Sequence, residues 1–171
     1  MSNQPIIVCK FGGSSLASAS QIRKAESIIK ANPNRRYVIN SAPGKRDDGD
    51  QKITDLLYLC HEHASRGLPF EEVFSVIASR FQGIANELEL KLDLSAELSA
   101  IRATIAEHGQ TGQPADYAAS RGEYLNGKIM AALLGWRFID AAGVIFFNAK
   151  GDLDNQRSYD TLAEKLAGQP A

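Results

Sequence analysis

The chain has 171 residues, 44% of them apolar, and its 19 Lys and Arg against 20 Asp and Glu leave a net charge of −1. That length fits one domain with ample material for a core, and the balanced charge argues against a constitutive nucleic-acid or membrane-surface binder, which needs a basic field. The longest apolar run, ending at Leu134, is far short of the roughly 20 residues of a membrane span.

The opening Met-Ser-Asn-Gln-Pro lacks the basic and apolar parts of a secretory leader, and Cys9 and Cys60 make no disulfide framework. A cytoplasmic α/β domain is the expectation. In chain order, Ile6 to Lys10 is a short apolar run stopped by Phe11-Gly12-Gly13-Ser14-Ser15, which reads as a buried strand. Ile22, Ala25, Ile28 and Ile29 then share one helical face, ended by Asn32-Pro33, and Tyr37 to Asn40 reads as a second buried strand. Strand, glycine turn, helix, strand makes a βαβ unit with a parallel pair. Lys45 to Gln51 is polar and reads as a solvated loop.

Three apolar faces follow: Ile53 to Cys60, Val73 to Leu88, and Leu94 to Ile105, each at helical spacing. A fourth helix is predicted from about Ala115 to Leu134, broken by Gly135. Arg137 to Asp140 and Val144 to Phe147 read as short strands, Asn148 to Gln156 as a polar loop, and Tyr159 to Leu166 as a last helix. About four strands are fewer than the five or six of a mean sheet, and a βα pattern ending on a helix suggests that more strands follow.

The first chemical motif is Lys10-Phe11-Gly12-Gly13-Ser14. Lys10 stands at the carboxyl end of a strand, where open α/β sheets bind ligands. Two glycines let the backbone approach a ligand and turn N–H groups towards it, and Ser14 or Ser15 can cap the next helix, whose N-terminus favours an anion. An exposed lysine on an ordinary tight turn is the competing reading. Ser41-Ala42-Pro43-Gly44 ends the second strand on the same sheet edge, and Thr54 opens the next helix, where it can cap or hold a ligand carboxylate. Ser120-Arg121-Gly122-Glu123 sets a carboxylate beside a glycine, suited to a ligand ammonium; a solvated helix face would look the same. Gly122 to Ile129 mimics a P-loop but ends on Ile129, which has no hydroxyl for magnesium. His61 and His63, two apart on a helix, diverge and are not read as metal ligands, so no metal-binding residue is assigned.

Together these segments resemble aspartokinase, of the amino acid kinase superfamily. VCKFGGSSLA is similar to its K-F-G-G-[TS]-S signature; SAPGKRDDGDQKITDLLY, SRGEYLNGKIMAALL and FIDAAGVIFFNAKGDLDNQRSYDTL resemble its later segments, in family order. The resemblance implies a three-layer αβα fold with a mainly parallel sheet, this chain being one domain-sized N-terminal, aspartate-binding part of the kinase domain. It implies transfer of the ATP γ-phosphate to the side-chain carboxylate of L-aspartate, with Mg²⁺, in the first step towards lysine, threonine and methionine. Lys10 would be catalytic and, with Phe11, Gly12, Gly13 and Ser14, would bind the ATP phosphates; Ser41, Thr54 and Glu123 would hold aspartate. Asn126 stands where many members carry a small hydroxyl residue. Aspartokinases continue into a nucleotide-binding half and regulatory ACT domains, so this stretch alone is expected to be inactive and the whole enzyme a homo-oligomer. A non-catalytic subunit and a sister kinase acting on glutamate, carbamate or a nucleoside monophosphate are the alternatives.

Overall fold

The computed structural model describes residues 5–167. It opens with strand β1 (Ile7–Phe11), a 3₁₀ turn (Gly13–Leu16), helix α1 (Ala19–Lys30) and strand β2 (Arg35–Asn40). β1 and β2 pair in parallel, Cys9 opposite Val38 and Lys10 opposite Ile39, with α1 as the crossover that a parallel pair requires. Because side chains alternate along a strand, the sheet has two unlike faces. Phe11 and Val38 are half-buried against the helices, whereas Val8 and Ile39 are 62% and 56% exposed on the other face with Lys10.

The helices α2 (Ile53–Ser65), α3 (Glu71–Glu87), α4 (Ser95–Gln110) and α5 (Asp116–Leu134) form the rest of a unit that closes at Gly135. α2 lies at the centre, packed on α3, α4 and α5, and contributes Ile53, Leu57 and Cys60 to the core. Its apolar positions fall three and four apart and so line one face. Gly109 of α4 lets that helix meet α2 closely: a β-carbon there would stand 2.5 Å from Ala64 Cβ and 2.7 Å from Ser65 N. α5 stops at Gly135, which adopts the left-handed conformation at φ 68° that glycine enters without strain.

Four expectations are corrected here, the first being that both strands are buried: no residue of β1 or β2 is fully buried, because one sheet face is open. Ser14 and Ser15 do not cap α1; the inserted 3₁₀ turn carries them away from it, and Ser18 Oγ accepts from Gln21 N instead. The strands predicted at 137–140 and 144–147 do not form. In that second unit, from Trp136 onwards, Asp140 accepts from Ala142 N and starts a 3₁₀ turn at Ala141–Gly143. Asn148 Oδ1 accepts from both Lys150 N and Asp152 N, and Gly151 sits at φ 83°. These local side-chain bonds compete with a ladder, leaving one isolated antiparallel bridge, Phe147 to Leu153. The last helix, α6 (Asn155–Leu166), starts four residues earlier than expected because Asp154 caps it.

No helix among the described residues is long and apolar enough to cross a membrane.

Candidate functional site

The loops that follow β1 and β2 emerge side by side and are locked together by backbone. Ser41 N donates to Phe11 O at 3.1 Å, and Gly44 N donates to Gly13 O at 2.9 Å. The approach is too close for any side chain: a β-carbon on Gly44 would lie 2.7 Å from Gly13 C, and one on Gly13 would lie 2.9 Å from Ala42 O. The two glycines are there for proximity.

α5 docks on the same place. Gly122 faces Ala42, where a β-carbon would come within 2.6 Å of Ala42 Cβ. Three hydrogen bonds hold the helix to the end of β2 and its loop: Asn40 Nδ2 to Glu123 O at 3.2 Å, Ala42 N to Glu123 Oε1 at 3.2 Å, and Asn126 Nδ2 to Ser41 O at 2.7 Å. Asn126 is fully buried and its Oδ1 has no partner, so its amide serves the Ser41 carbonyl alone.

Between these pieces opens a cleft of about 450 Å³ lined by Gly13, Ser14, Ser41, Ala42, Pro43, Gly44, Lys45, Lys52, Thr54 and Glu123. Five residues singled out in the sequence, Gly13, Ser14, Ser41, Thr54 and Glu123, thus share one cleft. Thr54 is the second residue of α2 and caps nothing. Glu123 is exposed rather than enclosed, its carboxylate steadied by the Ala42 N–H. Lys10, Phe11 and Gly12 do not line the cleft. Lys10 projects from the open sheet face, with Nζ 3.8 Å from where a Gly12 β-carbon would be. Phe11 turns its ring to the core, so its main chain is what it can offer a ligand.

The polar loop beyond Gly44 is not simply solvated. Asp50 accepts from Arg46 N, Arg46 Nε and Arg46 Nη2, and from Arg80 Nη2 at 2.6 and 2.7 Å. Hydrogen bonds from Arg46, reinforced by the Arg80 charge, hold the Asp50 carboxyl far below the usual carboxylate range. The histidines serve structure: His61 Nε2 bonds Gln113 O and His63 Nδ1 bonds Pro69 O, each at 2.9 Å. Cys60 is fully buried and its thiol is pushed up to about 12 by desolvation, which suits a core residue and not a nucleophile. The P-loop mimic lies inside α5 with Gly122 and Gly127 buried.

A crystal structure of aspartate kinase from Clostridium acetobutylicum superposes on 95% of the chain with a TM-score of 0.89 and 48% identity. The chain is homologous to the aspartokinases. Aspartokinase 3 of Bacillus subtilis (strain 168) is 34% identical over 155 residues, 85% of this chain. Aspartokinase III of E. coli, solved in complex with aspartate and ADP, shares the fold at a TM-score of 0.73 and 23% identity. No family model matches. The chain spans about a third of the length of these aspartokinases: 34%, 37% and 38%.

Reading the aspartokinase motifs alone misses four contributors to this site. Lys45 and Lys52 line the cleft from a loop that looked merely polar. Asn40 and Asn126 hold α5 in place from positions whose side chains carry no signature of a ligand contact.

Proposed function

We propose that this chain is the N-terminal, aspartate-binding part of an amino acid kinase domain, in a protein that transfers the γ-phosphoryl group of ATP to the side-chain carboxylate of L-aspartate. The observation that carries the reading is the convergence of Ser41, Thr54 and Glu123 with the glycine turn on one cleft. Among the described residues, the hydroxyls of Ser14, Ser41 and Thr54 have no protein partner and are free to bond a ligand.

In this reading Glu123 takes the α-ammonium of aspartate, and Ser41 and Thr54 take carboxylate oxygens. A side-chain carboxylate oxygen attacks the γ-phosphorus, the bond from that phosphorus to the bridging oxygen breaks, and ADP leaves. The acceptor is already ionised at neutral pH, so positioning and charge neutralisation supply most of the catalysis. Lys10 neutralises charge on the phosphates, while Gly12 and Gly13 bring N–H groups close to them. The cleft's one carboxylate, Glu123, is engaged by Ala42 N and stands among lysines. That donor set does not fit a magnesium ion, and no step here uses one. Lysine, threonine and methionine biosynthesis, a homo-oligomeric enzyme and a cytoplasmic location belong to the same reading.

Glu123→Gln tests it, because the change keeps the shape and removes the charge. Loss of a charge-assisted hydrogen bond at an exposed carboxylate is expected to cost about 1.5 kcal/mol, roughly tenfold in aspartate affinity. Succinate, which lacks the amino group, should lose almost nothing. Calorimetric titration of both ligands into both proteins decides the matter; equal losses would mean that Glu123 does not read the ammonium.

A further inference from the structure

Arg80 is an anomaly in its helix. It lies on the apolar side of α3 between Ile77, Phe81 and Ile84, with its side chain only 5% exposed. A buried guanidinium is retained only with a partner, and this one is directed out of the core at the loop after β2. Its Nη2 bonds both oxygens of Asp50, itself 9% exposed, and its Nη1 reaches Gly44 O at 3.4 Å. Asp50 in turn closes the loop on itself through the backbone and side chain of Arg46. Gly44 is bonded to Gly13. One side chain on α3 therefore holds the loop carrying Lys45 and Lys52 and, through Gly44, the glycine turn.

We propose that Arg80 and Asp50 are positioning residues for the cleft: their pairing sets the walls formed by Gly13, Gly44, Lys45 and Lys52, without touching the ligand. A buried ion pair adds little net stability compared with apolar residues of the same size. What it supplies here is direction, because the planar guanidinium holds the Asp50 carboxylate through Nη2 and reaches Gly44 O through Nη1, where a lysine would offer one point charge. The inference deepens the aspartokinase reading and rests on it only for the identity of the ligand.

The test separates geometry from stability. Asp50→Asn or Arg80→Met alone leaves a buried polar group without its counterpart and is expected to destabilise the chain. The paired variant Asp50→Leu with Arg80→Met removes both charges and should melt within a few degrees of wild type. In that folded variant the Gly44 amide should exchange with solvent at least roughly tenfold faster, while amides in α4 are unchanged. Aspartate affinity should fall roughly tenfold or more, since misplaced contacts lose binding energy. Arg80→Lys, which keeps the charge but not the fork, should fail to restore it.

Unchanged Gly44 exchange in the paired variant overturns the proposal, as does faster exchange with unchanged aspartate affinity. If the wild-type chain binds no aspartate, it is the functional reading that falls; Gly44 exchange then still decides whether Arg80 and Asp50 set the loop.

Discussion

Replacing Lys10 with alanine in an aspartokinase that carries this chain is expected to lower kcat by roughly 10²-fold or more, as does removal of one preorganised donor to a transition-state oxygen. Lys10 is exposed on the open sheet face and, among the described residues, makes no ion pair. Its truncation therefore removes little packing, and the melting temperature should stay within the small range of surface substitutions. The ammonium lies beside the turn, with Nζ 3.8 Å from where a Gly12 β-carbon would be. A charge that counts mainly in the transition state shows itself in kcat. Steady-state kinetics with aspartate and ATP varied separately would check this; a rise confined to the KM for aspartate would make Lys10 a substrate anchor instead.

Gly44→Ala should damage both halves of the site at once. The new β-carbon would meet Gly13 C at 2.7 Å, Ser14 N at 2.9 Å and Gly13 O at 3.0 Å, all backbone atoms that cannot swing aside. The loops must part, and overpacking of this kind costs about 1–3 kcal/mol. The bond from Gly44 N to Gly13 O goes with it. A displacement approaching 1 Å is enough to lower kcat/KM by roughly 10²-fold. Gly49→Ala supplies the control within the same loop, since its β-carbon would meet only Asp47 Oδ1, at 3.4 Å. Thermal melts and kinetics of the two variants should diverge sharply. Equal behaviour would show that the contact between the loops has room to give.

The parts of the fold legible in the sequence are those governed by local pattern. The apolar run into Gly12-Gly13, the spacing of α1 to α5 and the stop at Gly135 each depend on neighbours a few residues away. In the second unit the last helix is legible and the two strands are not. Arg137 to Phe147 has strand-like composition, but bonds from Asp140 and Asn148 to nearby backbone satisfy the chain before any ladder can form. At the site, Gly13, Ser14, Ser41, Thr54 and Glu123 stand out through their likeness to aspartokinase motifs, and the fold brings them to one cleft. Asp50 looked like one acid among several in a polar loop, and only the fold places it against Arg80, thirty residues away. The one available signal was Arg80 itself, a charge set between Ile77 and Ile84 on an apolar face.

The contact between Gly122 and Ala42 has a consequence for how such a site can change over generations. The reach of Glu123 into the cleft is set by the absence of a side chain one residue earlier, because Gly122 is what allows α5 to sit against Ala42. Positions 122 and 123 therefore behave as one heritable character: a larger residue at 122 withdraws the carboxylate as surely as losing it, although no charge has changed. A purely steric change at 122 can thus displace the Glu123 carboxylate, and no further change at 123 would bring it back.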